Sequence, residues 1–160
     1  MSAVANLIDA YLKGPADLRA AVAGMTPEQF QAKPVAGRMS TLEVLCHIAD
    51  FEAIISDRMK RIIALGENPL FLAADENLFL AELRYHDRVA EEELALIEAT
   101  RKQMAHILKA LKPEAFQKAG VHSMKGLLTL EKVVLGAVNH INHHLPFVHE
   151  KRKALGLKPA

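Results

Sequence analysis

Between Leu83 and Leu111, the residues Leu83, Asp87, Ala90, Leu94, Ile97, Arg101, Met104, Leu108 and Leu111 recur in alternating steps of four and three. That 3.5-residue repeat is the signature of helices packed side by side. Composition extends the constraint to the whole chain. The 25 Ala and 22 Leu outweigh 10 Val, 9 Ile and 4 Thr, the reverse of the balance that strand-rich domains use. The expected class is all-α.

Three further amphipathic segments complete the pattern. Ala3 to Ala23 is apolar at Val4, Leu7, Ile8, Tyr11, Leu12, Leu18 and Val22, and Gly14-Pro15 is expected to bend or break it. Thr26-Pro27-Glu28 reads as a capped single turn, and Lys33 to Met39 as a loop. The second long helix opens at Ser40, with Glu43 at capping-box spacing, and is expected to run to Leu65 before Gly66, Asn68 and Pro69. The third occupies much of Asp75 to Leu111, with a break near Tyr85. The fourth runs from Thr129 to a C-terminal glycine, Gly156, with a kink at Pro146. With no strand signal, the pattern predicts a four-helix bundle in a single domain over residues 1–160, with connections 66–74 and 112–128 long enough to cross it.

Several function classes drop out. Twenty basic and nineteen acidic residues give a net charge of +1, too little positive excess for binding nucleic acid. Apolar runs are too short to span a membrane, and the N-terminal stretch lacks the pattern of a signal peptide. A lone Cys46 excludes an internal disulfide framework and fits a reducing, cytoplasmic setting.

The eight histidines carry the chemistry. His140 and His144 share a helix face, although chance alone gives such a pair roughly one time in three. Their stripe also holds Val133, Ala137 and Phe147, so both imidazoles are expected to face the bundle interior. His47 lies on a second apolar stripe with Val44, Phe51 and Ile54. Three inward imidazoles each need a partner, and one metal ion or three separate polar groups would supply it. Spacing argues against other metal chemistries: no glutamate has a histidine three residues later, as a ferritin-like di-iron site requires, and no His-Glu-x-x-His zinc-protease motif occurs.

Three stretches resemble the DinB/YfiT-like family. They are GRMSTLEVLCHIADFE (37–52), GVHSMKGLLTLEKVV (120–134) and NHINHHLPFVHEKRKALG (139–156). The resemblance implies a four-helix bundle, often a homodimer, with zinc or nickel held by His47, His140 and His144. It also implies metal-dependent chemistry, with thiol transfer, in which a low-molecular-weight thiol attacks a small electrophile, as the first expectation and hydrolysis as the alternative. Where relatives often carry tryptophan before the capping serine, this chain has Met39.

Other residues have two readings each. Asp50 either orients His47 or is exposed, and Glu43 is a capping partner. Asp87 and Arg101 interrupt the apolar seam, and Arg101 either forms a buried ion pair or lines a substrate pocket. His143 belongs to the site's rim or is an alternate base, His122 overhangs the pocket or serves its loop, and His86, His106 and His149 are surface residues. Cys46 and the six methionines read as packing. From a different class stands a non-enzymatic bundle in which the metal only stabilises the fold.

Overall fold

The long amphipathic segments fold as four helices, and the computed structural model describes residues 3–158 of the chain. They are α1 (Ala3–Val22), α3 (Thr41–Ala64), α5 (Ala90–Lys109) and α6 (Leu130–Ala154), with two short helices, α2 (Pro27–Gln31) and α4 (Glu76–Glu82), in the connections. The capping box forms as the spacing predicts. Ser40 Oγ accepts the Glu43 N–H at 3.1 Å, and Glu43 Oε2 accepts the Ser40 N–H at 2.7 Å. At the other end of the chain, Gly156 takes φ 72° while its N–H and that of Leu157 reach the carbonyls of Lys153 and Arg152. That is a Schellman closure, and it places the predicted glycine just past the helix end.

Each of α1 and α3 packs against both α5 and α6, so α1 faces α3 and α5 faces α6 across the diagonals of the bundle, while α3 and α5 are neighbours. Arg152 at the end of α6 donates to the Ala23 carbonyl just beyond α1, so these two helices run parallel. Arg19 near the end of α1 pairs with Glu91 and Glu98 in the first half of α5, so α5 opposes them, and α3 runs with α5. This order makes residues 23–40 and 110–129 the diagonal crossings. Residues 65–89 instead return along the length of the bundle, carrying α4 across its face.

The expected third helix, Asp75 to Leu111, is therefore two. α4 is followed by Arg84 in the left-handed region (φ 51°), a 3-10 turn at Tyr85–Asp87, and then α5. Asp87 leaves the seam and pairs with Arg84 at the surface, whereas Leu94, Ile97, Arg101, Met104 and Leu108 keep it and are buried. The expectation of no strands is also corrected. β1 (Leu70–Phe71) pairs in parallel with β2 (Ala119–His122), which pairs antiparallel with β3 (Gly126–Thr129). Strands of two to four residues are too short to leave a period-two pattern. Gly120 is required there, because a Cβ would overlap the Phe71 ring. Among the described residues no helix is long and apolar enough to cross a membrane.

Of the two effects expected at Gly14-Pro15, a bend or a break, the break does not occur: α1 runs through it. Pro15 cannot donate to the Tyr11 carbonyl, and Arg101 Nη1 donates to that oxygen instead at 2.8 Å. A side chain at Gly14 would overlap the same guanidinium, so the glycine makes the room that the proline makes useful. Arg101 is fully buried. Its Nε and Nη2 donate to Glu52 Oε2 at 2.9 and 2.8 Å, and Nη2 donates to the Ala137 carbonyl at 2.6 Å. Tyr11 donates its hydroxyl to Glu52 Oε1 at 2.6 Å, and its ring lies 4.4 Å from the guanidinium carbon. Arg101 is thus a structural ion pair rather than a pocket residue. Replacing Arg101 with Met strands Glu52 without its cation, and we expect a loss of about 3–5 kcal/mol in urea unfolding. Metal content per folded chain should be unchanged in that variant.

Candidate metal centre

His47 stands in the second turn of α3, held there by the Ser40 cap, and His140 and His144 follow one another on the inner face of α6. The two helices bring all three imidazoles together. His47 Nε2 lies 2.9 Å from His140 Nε2, and His144 Nε2 lies 3.2 Å from the same atom. One nitrogen from each ring falls within 4.8 Å of the others. Nitrogens sharing an ion at about 2.0–2.1 Å, with angles near 90–110°, are separated by roughly 2.9–3.4 Å. The spacing therefore fits a divalent ion.

Electrostatics favours the same state. Burial, followed by the neighbouring His144 and His47, pushes the His140 pKa down to about 3. Burial and then His47 push His144 down to about 3 as well, and burial lowers His47. All three rings are neutral at physiological pH, with lone pairs free for coordination. Packing sets their orientation. The Phe51 ring stands 4.6 Å from His47 and 5.8 Å from His140, with Phe79 of α4 behind it at 5.9 Å. The three Nδ1 atoms are buried with no hydrogen-bond partner among the described residues.

Asp50 is not the orienting acceptor for His47, since its Oδ1 accepts from Arg88 at 2.9 Å. His143 lines the pocket, with its ring 5.1 Å from that of His144. His122 is outside the site; its Nδ1 accepts the Met124 N–H at 3.1 Å within the turn joining β2 and β3. His86, His106 and His149 are exposed. Cys46 is buried against the Tyr85 carbonyl, and burial pushes its thiol up to about 12, so it is inert.

The imidazoles form the wall of a pocket of about 350 Å³ that Glu76, Arg38, Phe147 and Lys151 also line. Glu76, the first residue of α4, brings Oε2 to 3.8 Å from His47 Nε2. It escaped the sequence reading because only the return path of residues 65–89 carries it there. Lys151 had a signal that went unread, since it continues the stripe of His140, His144 and Phe147.

Fold and site together define a helical bundle with a three-histidine donor set gathered from two helices. The chain belongs to the DinB superfamily, whose family model matches residues 10–148. A protein of Oceanobacillus iheyensis, provisionally named a metal-dependent hydrolase, is 28% identical over 134 residues, covering 84% of this chain and 77% of that one. YfiT from Bacillus subtilis, described as a "probable metal-dependent hydrolase with an unusual four-helix bundle topology", matches with a TM-score of 0.89 at 25% identity, covering 99% of this chain and 91% of that one.

The lowered pKa values fix a pH dependence for the metal-free protein. Unfolded histidines take up protons near pH 6.5, while folded His140 and His144 resist until about 3. The stabilising difference is complete above pH 6.5 and declines as the pH falls toward 3. Chemical unfolding of chelated protein across this range should show the decline, and the His140→Ala variant should flatten it.

Proposed function

We propose that His47, His140 and His144 hold one divalent ion, zinc or nickel, and that the protein is a metal-dependent hydrolase of a small substrate. The observation that carries the reading is the Glu76 carboxylate beside the imidazole cluster, 3.8 Å from His47 Nε2, on the open side of the pocket. Three neutral ligands leave an ion its full charge and at least one free position, and a divalent ion bound there supplies Lewis acidity and lowers the pKa of its water to about 7. Glu76 is half exposed and free of any cation among the described residues, so it can accept a proton from an attacking nucleophile and pass it to a leaving group. Phe51, Phe79 and Phe147 limit water around the rings. The names of both relatives are in keeping with this chemistry.

Thiol transfer is the second reading. The neutral donor set favours an anionic thiolate, and Arg38 and Lys151 make the same pocket attractive to anions. The nucleophile consumed separates the two, since water and a thiol of ordinary pKa (about 8.5) each give up a proton that Glu76 can accept.

Elemental analysis of untagged protein reloaded after chelation should give about one ion per chain, and none in the His140→Ala variant. Absence of an ion in the reloaded wild type would overturn the metal assignment. In a panel of activated esters and amides, Glu76→Gln should keep the ion and lower kcat by about 10²–10⁴. Consumption of a low-molecular-weight thiol with a small electrophile, without hydrolysis of the panel, would favour transfer instead.

A further inference from the structure

Lys151 is a buried cation with no carboxylate in contact among the described residues. It is 2% exposed, and its ammonium makes one hydrogen bond, to the Phe147 carbonyl at 3.2 Å. An ammonium has three donors, so two are unused among the described residues, and no carboxylate lies at ion-pair distance. The nearest acids do not serve it. Glu43 is committed to Lys33 at 2.8 Å and to the Ser40 N–H at 2.7 Å, and Glu150 is exposed and makes no ion pair with Lys151 among the described residues.

A second cation is brought to the same place. Arg38, from the loop before α3, lines the pocket and lays its guanidinium carbon 5.4 Å from the centre of the Phe147 ring. It has no acidic partner among the described residues. Burial lowers the Lys151 pKa most, Glu150 and Glu43 oppose that from a distance, and Arg38 lowers it, so the two cations repel one another across the pocket. A fold ordinarily keeps an unpaired cation out of the interior, because desolvating it is costly. Here α6 holds one inside, seven residues beyond His144 and roughly 10 Å along the helix, with the side chain turned back toward the histidines.

We propose that Lys151 and Arg38 form an anion subsite, and that the pocket takes a small substrate bearing a carboxylate or phosphate a few bonds from its reacting centre. The subsite rests on the catalytic reading only for its role; its binding chemistry stands on the two cations. An incoming anion fills the unused donors of Lys151, pairs bidentately with Arg38 and removes their mutual repulsion. Phe147, Met39 and Val44 supply apolar walls between the subsite and the imidazoles. Among the described residues Glu76 is the only acid lining the pocket, at the histidine side, so the pocket is polar in one sense: acidic base by the imidazoles, cations beyond Phe147.

The test uses the full chain, metal-free and metal-loaded, with phenylacetate, phenyl phosphate and the neutral phenylacetamide as probes in calorimetric titrations. At least one anion should bind tenfold or more tightly than the amide in both forms, and the preferred anion tells carboxylate from phosphate. Lys151→Met should abolish that preference while unfolding at the same temperature or higher, because a structural lysine would instead lower it. Arg38→Gln, at an exposed position, should weaken anion binding several-fold without affecting the melt. Equal or undetectable binding of all three probes, or a preference surviving Lys151→Met, overturns the subsite. Because the metal-free form is included, a failure of the metal assignment and a failure of the subsite give different results.

Discussion

The Arg101 guanidinium is the point at which all four long helices meet. It reaches the Tyr11 carbonyl of α1, the Glu52 carboxylate of α3 and the Ala137 carbonyl of α6, from its own place on α5. Apolar packing alone tolerates helices sliding by part of a turn, since methyl groups have no directional preference. Hydrogen bonds of 2.6–2.9 Å to fixed oxygens do not. Glu52 lies five residues after His47, and Ala137 lies three before His140. The network therefore ties α3 to α6 directly, while the imidazoles keep their own packing against Phe51 and against one another.

The same network shapes the electrostatics of the site without entering it. Arg101 is among the causes that depress the His140 pKa, behind burial and the two neighbouring histidines. A permanent cation near His140 discourages protonation of that ring. Glu52 neutralises Arg101 locally, so the influence at His140 is minor and desolvation dominates. Chelation should leave a bundle that still folds, because the ionic tie among the helices involves none of the three imidazoles.

Features legible in the sequence were those encoded within a single turn or a single helix face. The Ser40–Glu43 cap, the Gly156 terminus and the inward stripes of His47, His140 and His144 each depend on neighbours at most a few residues away, and the structure places them accordingly. What resisted reading depends on residues far apart in the chain. Gly14-Pro15 looks like a helix breaker until an arginine 86 or more residues later supplies the missing donor for Tyr11. Glu52 carries no mark of its pairing with Arg101, being one acid among nineteen. Glu76 reaches the site only because α3 and α5 run parallel, which obliges residues 65–89 to travel the length of the bundle.

That return path also explains why the site is a pocket at all. Had α3 and α5 been antiparallel neighbours, a short turn would have joined them and the imidazoles would face solvent across a bare helix groove. The parallel arrangement lays α4 over the face where His47 emerges, with Phe79 against Phe51 and Glu76 toward the nitrogens. On the opposite side the loop carrying Arg38 and Met39, needed to cross from α1 to α3, closes over α6 beside Phe147 and Lys151. Topology thus supplies the two walls, one acidic and one basic, and the histidine face of α6 supplies the floor between them. A substrate entering this space meets a proton acceptor at one end and cations at the other, so its orientation is set before any bond is made.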